Sequence, residues 1–556
     1  MKSKLLLALF LFVLAALPAF AQSAAAPRPV SPAPATNPAV APGEPEIIMP
    51  QVILQVEDLS VEKVEAQLPP EEDLLPPVRT IPALSEGELA VGEPRISAAP
   101  VESEGPARPS NDRLLSSEVQ LGAGSSNMIL GSVALKTLGP DPRFSLQFHH
   151  ETLDGFGGHD PGSGFSLRND SLDGGLKFRL GGVDSELGGS FKEDETGLQG
   201  QGSFSSALAR SISGTVSFSG APLDWLTLAA AASGGFDSLT LQATQPAVPL
   251  SSSALRLAPS LSAHAKFGAV GIGLESHYWY RDDSYLSAAE SQMHRLKIAT
   301  VFSFDLPATL ILQASAAWFW NSAGLSLFPF FLSITGTPLD FLTVSMEGGY
   351  KVVPYDMHDI LSSNALALPQ PLVDDRGWYA DSSAQLSITR DLAATIKVSF
   401  MASDAMPIGS TILDPGPLKT GLFPVTQSAG VQLSTDAGLR WGITQAFSLS
   451  AGWSHEFIDR PFFMAIDTIT AGLLALDPSG RFGGSFTVSA GPIADGTLQQ
   501  PILHISGFWK IIEAVKLQVD GDDLLGPLLG GSRWNIGSNT YITPGFRLST
   551  SLSMSL

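Results

Sequence analysis

From Phe546 to Leu556 apolar and polar residues alternate without a break. Phe546, Leu548, Thr550, Leu552, Met554 and Leu556 fall on one face; Arg547, Ser549, Ser551, Ser553 and Ser555 fall on the other. Side chains of a strand point alternately to its two faces, so the run is a strand with one greasy side and one wet side. A strand whose apolar side meets lipid and whose polar side meets a lumen is the unit of a transmembrane β-barrel. Few other folds accept it.

The same beat recurs upstream. Leu296, Ile298, Thr300, Phe302, Phe304 and Leu306 alternate with Arg295, Lys297, Ala299, Ser303 and Asp305. Phe447, Leu449, Ala451, Trp453, His455 and Phe457 alternate with Ser448, Ser450, Gly452, Ser454 and Glu456. Leu198, Phe204, Leu208, Ile212, Val216 and Phe218 share one parity, which predicts a strand long enough to project beyond a membrane.

Short connections are expected near 139–142, 181–183, 221–224, 306–308, 337–340, 390–393 and 444–446. Longer loops are expected at 154–171, 234–254, 282–292, 353–376, 404–426 and 458–480. Short turns alternating with long loops are the up-and-down topology of membrane barrels. The expected fold is all-β: a transmembrane antiparallel up-and-down barrel of about 20–22 strands over residues 116–556. Segment 481–511 is open between one strand and three.

Gly220-Ala221-Pro222-Leu223-Asp224-Trp225-Leu226-Thr227-Leu228 is echoed by Gly336-Thr337-Pro338-Leu339-Asp340-Phe341-Leu342-Thr343-Val344. Proline is expected to end a strand there, and Asp to make the turn. The aromatic then falls at the membrane–water boundary. Trp279/Tyr280 and Trp318/Trp320 are further candidates for aromatic girdles.

The composition agrees: hydrophobic residues make up 44% and charged residues 15%, with 54 glycines and a mean hydropathy of +0.18. No uninterrupted apolar stretch has the length of a spanning helix. Absence of cysteine excludes disulfides and thiolate chemistry. A formal charge of −22 disfavours nucleic acid as a partner.

Residues 1–21 read as a cleaved signal peptide: Lys2 and Lys4, an apolar run from Leu5 to Leu17, and the Ala19-Phe20-Ala21 site. Residues 22–115 read as an acidic, Pro-rich periplasmic arm, largely disordered. Residues 22–110 hold 17 of the 41 prolines and a net charge of −9. One β-prone island stands in it. Ile47, Ile48, Val52, Ile53, Leu54 and Val56 are candidates for docking a periplasmic protein by strand addition over 46–59. The alternative is packing on the periplasmic rim.

The C-terminal region resembles the end of a TonB-dependent receptor barrel. The matching pieces are Val515 to Val519, Asp523-Leu524-Leu525, Trp534, Pro544-Gly545-Phe546 and the closing strand. The Pro-Leu-Asp-aromatic-Leu-Thr turns resemble that family's periplasmic turns, and the strand estimate is compatible with its twenty-two. Two departures stand out: the arm is too short for the family's N-terminal plug, and Leu556 replaces the usual terminal aromatic. The resemblance implies an outer-membrane transport-type barrel without its own cork. It does not extend to energy coupling through TonB.

The expected surroundings are outer-membrane lipid and the outer-membrane assembly machinery. The expected function is a plugless channel or transporter for solutes; the alternative is a non-conducting anchor that docks a periplasmic partner. No cofactor, metal or catalytic residue is expected. His149 and His150 alternate faces and cannot converge, and no Gly-x-Ser-x-Gly motif accompanies the histidines. The carboxylate pairs Asp282/Asp283, Asp374/Asp375 and Asp522/Asp523 are expected to be solvated loop charges, with calcium binding as the alternative.

Overall fold

The period-two runs pair edge to edge with their neighbours in sequence, and the last pairs with the first. A computed structural model describes residues 115–555 apart from 138, 140, 244–248, 287–289, 308, 457–466, 492–500, 530–532 and 535–539. Twenty-two antiparallel strands close one ring. They are β1 (Leu115–Gly124), β2 (Met128–Thr137), β3 (Arg143–Asp154), β4 (Ser166–Leu180), β5 (Val183–Gly197), β6 (Phe204–Leu223), β7 (Leu226–Ala243) and β8 (Leu250–Phe267). Next come β9 (Val270–Ser284), β10 (Glu290–Leu306), β11 (Leu310–Asn321), β12 (Phe330–Leu339), β13 (Leu342–Val353), β14 (Asp375–Ser387), β15 (Leu392–Gly409) and β16 (Phe423–Gly442). The ring ends with β17 (Phe447–Glu456), β18 (Asp467–Leu476), β19 (Phe482–Ala490), β20 (Ile502–Ile512), β21 (Val515–Asp522) and β22 (Arg547–Ser555). Closure leaves no unpaired strand edge in lipid. No helix among the described residues is long and apolar enough to cross a membrane.

The seam is continuous. β1 pairs with β22 from Glu118↔Ser555 to Gly124↔Ser549. Gln120 Nε2 donates to Ser551 Oγ across it at 2.8 Å. In β22 the outward Leu548, Leu552 and Met554 are 45%, 48% and 45% exposed, whereas the inward Ser549, Ser551 and Ser553 are 6%, 2% and 5% exposed. The alternation therefore sorts as the sequence predicts. Ile129, Phe148, Ile212, Ile272, Phe302 and Leu332 continue the exposed apolar belt around the wall.

The two repeated turns share one geometry. Pairing of β6 with β7 shifts register between Gly220 and Leu223, and pairing of β12 with β13 shifts between Gly336 and Leu339. Pro222 and Pro338 do not end their strands; the bulge takes each proline out of the ladder, where its missing N–H costs nothing. Trp225 and Phe341 lie exposed beside the turns, and Trp225 stacks on Phe267 at 5.4 Å.

Several expectations need correction. Loop 234–254 is mostly strand: β7 runs to Ala243 and β8 starts at Leu250. The Gly234-Gly235 pair that suggests a loop makes room for a neighbour, since a Cβ at Gly235 would lie 2.9 Å from Arg256 Nη2. Much of 458–480 is β18, whose run of small residues hides its alternation. Leu198 precedes β6, which still extends over 20 residues. Among its described residues segment 481–511 holds two strands, β19 and most of β20. Trp318 and Trp320 face outward and are exposed, but Trp279 shares the inner face with Arg281 and Asp283.

Candidate functional site across the barrel mouth

All ten short turns and both described ends of the ring lie at one end of the barrel. Eleven connections, including the long ones, lie at the other. At this loop end the strand lengths are unequal. β6 and β16 have 20 residues and β7, β8 and β15 have 18. β1 and β2 have 10 each, and β21 has 8. About ten tilted residues cross a bilayer, so the wall rises far above it on two sides only.

Those two sides meet. In a ring of 22, the β5–β6 and β15–β16 hairpins stand ten strands apart, nearly half the circumference. Strand spacing and tilt imply a diameter of roughly 40 Å. Yet Ser203 N donates to Lys419 O at 2.9 Å. Gly202 allows the approach: a Cβ there would lie 2.4 Å from Lys419 O and 2.8 Å from Gly421 N. The β21–β22 connection joins them. Tyr541 is buried, its hydroxyl donates to Gly421 O, and its ring meets Phe423 edge-on at 5.8 Å. Gln199 clasps the backbone of Ile542, accepting at 2.9 Å and donating at 2.7 Å. Leu198, Phe204, Leu239, Leu241, Leu422 and Phe423 form the apolar core of this bridge.

A fourth element joins the same core: the strap Pro354–Asp374 between β13 and β14, which buries Leu366 in it and packs Leu361 and Leu368 against it. Its helix α1 (Met357–Ser363) starts at Asp356, whose carboxylate accepts from Asp359 N at 3.1 Å while Asp359 accepts from Asp356 N at 2.8 Å. This capping box fixes the start of a seven-residue helix that is too short to stand alone. Spacing of i, i+3, i+4 puts Met357, Ile360 and Leu361 on one face. Met357 packs on Ala254 and Tyr285; Ile360 packs on Ala367, Leu372 and Val425. Ala367–Leu368 then runs parallel to Phe423–Pro424 at the start of β16.

The strap is also held by charge. Inward-facing groups on β7 to β11 receive it. His358 Nδ1 lies 2.9 Å from Asp237 Oδ1, and Arg256 Nε donates to the other oxygen of Asp237 at 2.8 Å. Arg281 donates to Tyr355 O at 2.5 Å and pairs with Asp283 at 2.7 Å. Asp374 accepts from Arg295 Nε and from Asn321 Nδ2, both at 2.7 Å. Asp375 accepts from the Ser403 hydroxyl and from Ala405 N. Asp237, Arg281, Asp283, Arg295, Asp374 and Asp375 are all buried. The hydrogen bond to Asp237 raises the pKa of His358. Burial, then the neighbouring Asp356 carboxylate, pushes Asp359 up to about 6. Burial pushes Tyr355 up to about 12.

Asp283, Asp374 and Asp375 are therefore not solvated loop charges. Asp522 is not either, since it pairs with Arg547 and His504. Among the described residues no group of three or more His, Cys, Asp or Glu is placed to hold a metal ion. His149 and His150 do part to opposite faces, toward Glu151 and Asp170 respectively. The docking candidates Ile47, Ile48, Val52, Ile53, Leu54 and Val56 lie outside the described residues. Sequence reasoning missed the arginine ladder Arg256, Arg281 and Arg295. Its visible signal was three inward-parity arginines at the upper ends of adjacent strands.

The opposite end is wet. The inward pairs Lys177–Glu186 at 2.8 Å and Lys266–Asp305 at 2.9 Å have side chains between 43% and 64% exposed. The inner wall is thus solvated toward the turns and dry toward the loops.

A 22-strand ring with an apolar outer belt and a polar inner wall is a transmembrane β-barrel, and its fold is like that of solved outer-membrane receptors of the TonB-dependent kind. The ferric enterobactin receptor of Pseudomonas aeruginosa, solved as a mutant, is similar with a TM-score of 0.61 at 10% identity, covering 80% of each chain. The FrpB iron transporter of Neisseria meningitidis gives 0.61 at 9% identity, over 80% of this chain and 82% of that one. The copper transporter OprC gives 0.60 at 11% identity, over 80% and 81%. No family model and no curated protein matches the sequence. The likeness is one of fold.

Proposed function

We propose that this protein is an outer-membrane channel or transporter that passes solutes through a lumen gated at its loop end. The observation that carries the proposal is the contrast between the two ends of the inner wall. A barrel that only anchors a complex has no use for a polar wall solvated at one end. Nor does it need a reversible, charge-held cover at the other. The structural neighbours, described as iron and copper transporters and siderophore receptors, support transport across an outer membrane. The polar strip inside and the apolar belt outside require a bilayer in any case. With both described ends of the ring at the turn end, the barrel rule puts the turns in the periplasm and the covered mouth outside.

The test is single-channel recording of the full-length protein in a planar bilayer, beside a form lacking residues 22–114. Discrete openings in either form are the expected result. Silence from both, with the barrel shown folded by its heat-dependent gel mobility, would overturn transport and favour the non-conducting anchor.

A further inference from the structure

We infer that the strap Pro354–Asp374 is the moving part of the gate, and that it is a proton-responsive latch which acid closes and alkali loosens. The inference rests on the channel reading above but reaches beyond it, to how the mouth is controlled.

Geometry singles out this strap. It is anchored at both ends in adjacent strands, yet its helix reaches sideways around the ring to β7 and β8. It touches β7 to β11 through polar groups and β16 through Ala367–Leu368. Its apolar contacts are Met357 on Ala254 and Tyr285, Ile360 with Ala367, Leu372 and Val425, and Leu366, flanked by Leu361 and Leu368, in the core of the bridge. Beside them stands a set of ion pairs and hydrogen bonds at both ends of the strap and at its helix. An element held in part by ion pairs is loosened when one protonation state changes, whereas a fully apolar plug is not.

The charged and titratable groups facing the strap helix can be named element by element. β7 gives Asp237, β8 gives Arg256, β9 gives Arg281 and Asp283, and β10 gives Arg295. β14 gives Asp375; the β9–β10 connection gives Tyr285; the strap itself gives Tyr355, Asp356, His358, Asp359 and Asp374. β16 contributes only Phe423, Pro424, Val425 and Gln427. The arginines keep their charge throughout, and Asp237 and Asp374 are each bonded to an arginine. Two titratable groups lie on the strap helix itself, His358 and Asp359, and they are neighbours in sequence.

Both push the same way. His358 gains a carboxylate partner only when the strap is seated, so its pKa is higher in the closed state. The protonated form favours closure, and that contribution is lost as pH rises through the raised pKa. Asp359 is buried beside the Asp356 carboxylate when the strap is seated, and its pKa there is about 6 instead of 3.8. The seated strap therefore takes up a proton that the lifted strap does not hold at pH 5. For this group alone, linkage gives a closing equilibrium about tenfold more favourable at pH 5 than at pH 8. His358 adds to it in the same direction.

Absence of cysteine allows a clean test. Ala254 is buried under Met357, so in an Ala254→Cys protein the single thiol meets a water-soluble maleimide only when the strap lifts. Ser362→Cys, exposed on the same helix, corrects for the pH dependence of the thiolate. The labelling rate of Ala254→Cys relative to Ser362→Cys should fall by about tenfold or more from pH 8 to pH 5. Asp359→Asn and His358→Gln, each added to Ala254→Cys, should flatten that profile. Both are close in shape to the native residues, and their folding is checked by gel mobility. A relative rate independent of pH would overturn the latch, even in a barrel that conducts. A pH-dependent rate in a barrel that never conducts would uphold the latch and sink the channel.

Discussion

Gly202 has no side chain because Lys419 leaves no room for one. Gly202→Ala should force the β5–β6 and β15–β16 hairpins apart and raise the open fraction in single-channel records at least severalfold. Unchanged gating would show that their contact does not seal the mouth. Asp374 sits between Arg295 and Asn321 at the end of the strap. Asp374→Ala strands a buried guanidinium, a loss on the order of 3–5 kcal/mol for a buried pair broken on one side. Part is recovered locally because Arg295 also donates to Tyr355 O at 3.2 Å. The strap contains no Lys or Arg, so chymotrypsin is the probe: cleavage between 355 and 373 should quicken in the variant while the rest of the barrel stays intact. The sequence alone pointed the wrong way at this residue. Asp374-Asp375 beside Pro and Gly reads as a wet loop, because its arginine partner is 79 positions away and visible only in the folded ring.

At the scale of elements, strands were legible and the strap was not. A strand's two faces meet lipid and water along its whole length, so each of its residues reports the same environment. Alternation in β10, β17 and β22 therefore reads directly as fold. Leu552 lies on the exposed apolar face, and Leu552→Arg should lower folding stability by about 2–4 kcal/mol near the bilayer midplane. The gel-mobility shift in urea measures this; a stability equal to the native protein's would place Leu552 away from lipid. Helix α1 leaves a weaker trace. Seven residues carry barely two turns of periodicity, and the partners of its apolar face, Ala254 and Tyr285 for Met357 and Leu361 and Val425 for Ile360, lie in distant parts of the chain. Gly-Gly in β7 and the small residues of β18 hid strands for a related reason: a neighbour's side chain, Arg256 in the first case, fills the space the glycine leaves.

Over the whole molecule, the ring was readable from both of its periodicities, two within strands and short-long in the connections. Closure of its mouth was not. It depends on which hairpins face each other across the ring, which follows only once the strand count is settled at 22. β13 and β14 are neighbours and pair along their full length, so a tight turn can replace the strap without disturbing the wall. Replacing residues 356–373 by a short Gly-Ser turn should increase unitary conductance and abolish its dependence on pH. A conductance equal to the native protein's would put the constriction elsewhere.

The clasp between Gln199 and Ile542 joins residues 343 positions apart, and Tyr541 belongs to the last stretch of chain before β22. Every other described part of the cover precedes it in the sequence. The contacts that join the cover are therefore incomplete until the final hairpin is in place, and a chain shortened before Tyr541 lacks the aromatic ring that holds Gly421. The joined top marks a finished barrel: the elements across the mouth lock together only when the last hairpin has taken its place in the ring.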